Sequence, residues 1–68
     1  MGKLSLRAAR VNKGLIQKEA AKQLKVSNKT LSSWENGATF PTPPQIDAIC
    51  VLYGVNYDDL SFLPANPL

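Results

Sequence analysis

The stretch Gly14–Gly37, GLIQKEAAKQLKVSNKTLSSWENG, predicts two short helices separated by a very short connection. The earlier helix of this pair is expected over about 17–24, because its apolar residues recur at helical spacing. Ser27 is a good N-cap for the second helix, and Asn36 followed by glycine is a good helix end. Two helices joined by about three or four residues predict a helix-turn-helix over about 17–36.

The second of these helices carries large apolar side chains on one face and small or polar side chains on the rest of its surface. Leu31 and Trp34 stand three residues apart, so they share one face and are expected to pack into a core. The rest of the helix offers hydrogen-bonding groups with little bulk. These polar residues are Ser27, Asn28, Lys29, Thr30, Ser32 and Ser33.

Charge is distributed unevenly along the chain. All eight lysine and arginine residues lie within the first 29 residues, where Glu19 is the only acid. The first 29 residues therefore carry a net charge of +7, and the remainder carries −4. This asymmetry is typical of a surface that meets phosphate groups, and a basic face that only keeps the protein in solution is the alternative.

Length and composition exclude several classes of protein. A chain of 68 residues has room for one domain with one modest core. A single cysteine excludes an internal disulfide, and the lack of histidine removes the usual catalytic base and the commonest metal ligand. No run is long enough to span a bilayer, and no signal-peptide pattern is present. We therefore expect a cytoplasmic protein without enzymatic activity, metal or cofactor.

The remaining segments predict three more helices. A first helix follows the capping residue Ser5, and a fourth begins at two prolines and covers about 43–54. Asn56 is expected to cap a short fifth helix. The fold class is therefore all-α, with five short helices in one domain over 1–64 and a C-terminal tail over 65–68.

The pattern resembles the Cro and phage-repressor type of helix-turn-helix domain, also called the XRE family. The resemblance implies the five-helix fold of lambda-repressor-like domains, with the third helix in the DNA major groove. It also implies a sequence-selective transcriptional regulator of a bacterial host cell. The matching residues are Gly14, Leu15, Gln17, Glu19, Ala21, Leu24, Val26, Ser27, Leu31, Trp34, Glu35, Asn36, Gly37, Pro43, Gly54 and Val55.

The same resemblance assigns contacts to double-stranded DNA. Small polar side chains let the backbone of a helix approach the base edges closely. The residues that would face base edges are Ser27, Asn28, Lys29, Ser32 and Ser33. The residues that would meet phosphates are Gln17, Lys13, Lys18 and Asn36. Asn28 can hold adenine in a bidentate manner and Lys29 can reach guanine, so these two are the strongest candidates for base recognition.

Arg10 and Glu35 occupy positions that form a buried ion pair in some members of the family. Arg10 lies on the apolar stripe of the first helix, which favours a structural role over a binding role. We therefore expect the pair to tie the first helix to the third.

The fourth helix carries a second apolar strip beside its core-facing side. Val51 and Leu52, together with Leu60, Phe62 and Leu63, form a predicted protein interface. The alternative is that some of these residues cover the core. An interface would serve a homodimer, as in relatives of this type, or a complex with a repressor protein. The second case describes a phage modulator, or antirepressor, that keeps the helix-turn-helix fold but acts on a partner repressor.

Overall fold

The computed structural model describes residues 3–62, so the predicted domain boundary at residue 64 and the tail 65–68 lie outside the described residues. The helices are α1 (Leu6–Asn12), α2 (Gln17–Leu24), α3 (Asn28–Glu35) and α4 (Pro43–Tyr53). Two short strands, β1 (Leu4–Ser5) and β2 (Leu60–Ser61), and a 3₁₀ turn at Tyr57–Asp59 complete the described chain. None of the helices in this part is both long and apolar enough to cross a membrane.

Local capping signals explain the positions of α1, α3 and α4. Ser5 Oγ accepts the backbone N–H of Ala8, and Ser27 Oγ accepts that of Thr30, both at 3.0 Å. Two prolines open α4, where their fixed φ and missing N–H suit a first turn. Gly54 ends the same helix in the left-handed region, with φ of 68°.

The prediction of a fifth helix after Asn56 was wrong. Residues 57–59 form a single 3₁₀ turn, and Leu60 then takes extended backbone with φ −104° and ψ 145°. Strand β2 pairs in parallel with β1, and Leu60 lies opposite Leu4. The apolar residues Leu60 and Phe62 alternate with a serine, which is the period of a strand. Pairing with a segment at the other end of the chain therefore replaces the last helix.

The core lies where the four helices meet the small sheet. Leu31 and Ile49 are its largest fully buried side chains. Leu60, which the sequence placed in a protein interface, is 3% exposed and belongs to the core. That prediction was wrong, because strand pairing turns the side chain inward against β1 and α1. The residues of the hydrophobic core cluster are Leu6, Ala9, Ala20, Ala21, Leu31, Trp34, Ile49, Tyr53 and Leu60.

Candidate nucleic-acid interface

The connection between α2 and α3 is short because its first residue reverses the chain. Lys25 has φ 61° and ψ 38°, and its N–H donates to the carbonyl oxygens of Ala21 and Lys22. Val26 N–H also donates to Ala21 O, at 3.0 Å. Ala20 and Ala21 are small and buried, so α2 and α3 pack closely against each other. The result is a closely packed two-helix unit in which the turn and the buried alanines set the direction of α3.

Helix α3 is anchored on one side and open on the other. Leu31 is fully buried and Trp34 is nearly so, and together they fix the inner face. Asn28 and Lys29 are exposed in the first turn. Within residues 3–62, neither of their side chains makes a hydrogen bond or an ion pair. Their amide and ammonium groups are therefore available to an external partner.

The other residues predicted to face bases, and Asn36 at the end of α3, are partly engaged within the protein. Ser27 Oγ accepts the N–H of Thr30 and donates to Thr30 Oγ1 at 2.9 Å. Ser32 and Ser33 are half-buried, and Asn36 Nδ2 lies 3.5 Å from Ser32 Oγ. These hydroxyls offer less reach than the two uncommitted side chains of the first turn.

The N-terminus of α2 presents backbone N–H groups toward solvent. Its N-cap residue is Ile16, whose side chain has no acceptor, so the first-turn amides keep their partial positive charge. Glu19 Oε1 accepts the N–H of Ile16 at 3.1 Å, which satisfies one donor of this end. The exposed Lys18 adds a full positive charge beside it. The charges of Lys18 and Glu19 offset each other in this turn, so the remaining free amides are what favours an anion here.

A buried ion pair lies directly behind this helix end. Arg10 Nε lies 2.8 Å from Glu35 Oε2, and Arg10 Nη2 donates to Glu35 Oε1 at 3.2 Å. Arg10 Nη1 donates to the carbonyl oxygen of Leu15 at 2.9 Å. The two side chains are only 9% and 5% exposed. The Arg10 guanidinium therefore links α1 both to the connection before α2 and to the last residue of α3.

Gln17, the first residue of α2, is tied to the same carboxylate. Its Nε2 donates to Glu35 Oε1 at 3.1 Å, and the residue is half-buried. No sequence pattern indicated this bond, because the two residues are 18 positions apart and a glutamine at a helix start has many other uses. Gln17 therefore lies at the surface edge of the network, where one side of its amide faces inward.

Tyr53 on α4 is buried, and the charges of Glu35 and Arg10 both act on its hydroxyl. Burial raises the pKa of Tyr53 to about 12, with a further increase from the negative charge of Glu35 and an opposing decrease from Arg10. Among the described residues, the Tyr53 hydroxyl has no hydrogen-bond partner.

The cations of the first half of the chain lie on the surface, with one exception. Arg10 is buried in the ion pair, and the other seven are exposed. Lys13 and Lys18, both predicted to contact phosphates, flank the connection between α1 and α2. The exposed cations are Lys3, Arg7, Lys13, Lys18, Lys22, Lys25 and Lys29.

The apolar strip of α4 is only partly exposed. Val51 is 83% exposed, whereas Leu52 is half-buried, and both line a shallow groove of about 420 Å³ between α2 and α4. Phe62 is half-buried, with its ring centroid 5.9 Å from that of Tyr57. Leu63, also predicted at this interface, lies outside the described residues.

The half-buried thiol of Cys50 has no feature of a reactive group. Burial raises the pKa of Cys50, and the negative charges of Asp47 and Asp59 raise it further. A protonated thiol is a poor nucleophile and a poor metal ligand. Within residues 3–62, no cluster of histidine, cysteine, aspartate or glutamate side chains is arranged to hold a metal ion.

Comparison with known proteins agrees with this architecture. Residues 6–60 match the model of a helix-turn-helix family. The HTH-type transcriptional activator BcrR of Enterococcus faecalis is 34% identical to the chain over 55 residues, which are 81% of this chain and 27% of that protein. The chain thus spans about a quarter of the length of this relative. No solved structure shows significant similarity. Because the family match covers most of the chain, the protein belongs to the helix-turn-helix family of the XRE type.

Proposed function

We propose that the protein binds double-stranded DNA and regulates transcription, with α3 in the major groove. The observation that carries this proposal is the pair Asn28 and Lys29, which are exposed and uncommitted on a helix whose other face is fixed by Leu31 and Trp34. An asparagine amide matches adenine and a lysine matches guanine in this groove. The related activator supports the regulatory part, and the chain corresponds to about a quarter of it.

Phosphate contacts would orient the domain on the duplex. Gln17 and Lys18 lie at the open start of α2, Lys13 lies just before it, and Asn36 ends α3. These positions lie on both sides of the recognition helix along the chain. Such contacts give affinity and orientation, and the contacts to base edges give selectivity.

We expect a homodimer that joins two copies through α4. All cations lie in the first 29 residues, so two copies repel each other least when they meet at the other half of the chain. There, Val51 is almost fully exposed beside the groove with α2. A two-fold dimer binds paired half-sites that are about 34 Å apart, one turn of DNA.

A second function, binding to a partner repressor, is favoured by the same exposed strip. Its argument is that Ser27, Ser32 and Ser33 give little reach for base recognition and that Val51 is 83% exposed. In this case the protein would act as a modulator, and a repressor would lose its DNA binding on mixing. Neither function assigns an enzymatic step to the chain.

Gel-shift titrations with the regulatory region next to its own gene test the proposal. At low salt, where phosphate contacts are strongest, we expect a shift that the joint change Asn28→Ala and Lys29→Ala weakens by about tenfold or more. The matched control, Asn12→Ala with Lys3→Ala, removes the same side-chain types from exposed positions outside α3. No shift at low salt would contradict DNA binding. Co-purification with a repressor would then support the second function.

A further inference from the structure

We propose that Glu35 is a positioning residue for DNA binding, which fixes the side chain of Gln17 in the orientation that receives a phosphate. This inference rests on the proposed function, in which Gln17 contacts the DNA backbone. It gives the buried ion pair a role in binding as well as in folding. The carboxylate of Glu35 is the shared acceptor between the interior of the domain and the start of α2.

The carboxylate is itself held rigidly. Glu35 Oε2 accepts from Arg10 Nε at 2.8 Å, and Glu35 Oε1 accepts from Arg10 Nη2 at 3.2 Å. Two parallel bonds from one guanidinium fix both the position and the plane of the carboxylate. Because the side chain is only 5% exposed, solvent does not compete for these bonds. Gln17 therefore donates to an acceptor that two other hydrogen bonds hold in place.

A fixed carboxylate determines which end of the Gln17 amide points inward. A carboxylate accepts hydrogen bonds but donates none, so the amide nitrogen must face it and the amide oxygen cannot. One N–H of the amide is used by Glu35, and the second N–H remains for a group outside the protein. A phosphate oxygen needs such a donor. A side chain that is already ordered also loses less rotamer freedom when it binds.

The Arg10 guanidinium also fixes the backbone just before Gln17. Arg10 Nη1 donates to Leu15 O at 2.9 Å, two residues before Gln17. Glu35 is in turn the last residue of α3. One buried network therefore fixes the start of α2, which is proposed to face a phosphate, relative to α3, the proposed recognition helix.

A double-mutant cycle in DNA affinity tests the positioning role. The variants are Gln17→Ala, Glu35→Gln and their combination, measured under conditions where urea titrations show all of them folded. We expect Glu35→Gln to weaken binding by about threefold or more when Gln17 is present, and by less than about twofold in the Gln17→Ala background. An equal loss in both backgrounds would indicate a purely structural effect and would overturn the role.

Salt dependence separates this effect from a loss of cations. Gln17 is neutral, so Glu35→Gln should weaken binding without reducing the steepness of log affinity against log salt. Lys18→Gln, a matched change at the neighbouring residue, should lower that slope by about one. A slope reduced as much as that of Lys18→Gln would mean that ionic contacts of the basic surface are lost, which would contradict the proposal.

If Glu35→Gln fails to fold, NMR of the unmodified protein without DNA tests whether Glu35 orders the Gln17 side chain. Relaxation of the side-chain amides should show Gln17 ordered and Gln23, which is exposed on the same helix, mobile. Equal mobility of the two would overturn the positioning role while leaving DNA binding intact. A wild-type protein that shifts no DNA would contradict the proposed function, and the positioning role with it.

Discussion

Arg10 and Glu35 form a bidentate ion pair in which both side chains are more than nine-tenths buried. Burying two charges costs several kcal/mol per ion, and close geometry with further hydrogen bonds must offset that cost. Here the guanidinium has a third partner in Leu15 O, and the carboxylate has a third partner in Gln17 Nε2. The pair therefore fixes how three helices meet and, in the proposed function, how α3 is presented.

The first prediction concerns the loss of one partner of this pair. Arg10→Met leaves Glu35 charged, buried and without its bidentate donor, so we expect the free energy of unfolding to fall by about 3–5 kcal/mol. Urea denaturation followed by the fluorescence of Trp34 measures it. The joint change Arg10→Met and Glu35→Met removes both charges and should recover part of the loss. Equal losses in the single and double variants would show that the pair is not the cause.

The second prediction concerns the turn between α2 and α3. Lys25 is the only residue other than glycine with positive φ within residues 3–62, and the left-handed region is unfavourable for a side chain with a Cβ. We expect Lys25→Gly to raise the free energy of unfolding by about 0.5–1 kcal/mol. Thermal melts measure it, with Lys25→Ala as the control for the lost charge. A Gly variant no more stable than the Ala variant would contradict this explanation.

The third prediction concerns stability at alkaline pH. The pKa of Tyr53 is raised to about 12 from 10, so the folded state holds this proton more tightly than the unfolded chain does. The corresponding stability is complete below pH 10 and is lost as the pH rises through 12, at about 1.4 kcal/mol per pH unit between the two values. Urea titrations from pH 9 to pH 12 should show this decline.

Tyr53→Phe isolates that contribution. The variant has no hydroxyl to ionise, so its free energy of unfolding should fall less than that of the wild type above pH 10. Below pH 10 the variant should be as stable or up to about 1 kcal/mol more stable, because the buried hydroxyl has no partner among the described residues. Tyr57→Phe is the matched control, since Tyr57 is 58% exposed. Identical pH curves for Tyr53→Phe and the wild type would contradict the assignment.

Elements governed by local chemistry could be predicted from the sequence. Ser27 caps α3 through a bond to a residue three positions on, and a left-handed glycine ends α4 where the sequence placed its end. The apolar spacing of Leu31 and Trp34 gave the buried face of α3 in the same way. Each signal lies within a few residues, where propensity and capping determine the backbone.

Elements governed by distant contacts could not be predicted. Strand β2 depends on pairing with β1 more than fifty residues away, so the helix expected after Asn56 was wrong. The Gln17–Glu35 bond depends on how α2 and α3 cross, which spacing alone does not give. The left-handed conformation of Lys25 was also missed, because a glycine is the usual signal for such a turn.

The last prediction separates two apolar positions that the sequence grouped into one interface. Leu60 is 3% exposed in the core, so Leu60→Ala should lower the free energy of unfolding by about 2–4 kcal/mol through lost contacts and a cavity. Val51 is 83% exposed, so Val51→Ala should change stability by less than about 0.5 kcal/mol.

Val51→Lys should instead weaken self-association, because it places a cation in the centre of the apolar strip. Sedimentation equilibrium and thermal melts of the three variants measure both effects. Unchanged self-association in Val51→Lys would exclude α4 as the dimer surface, whatever its effect on stability.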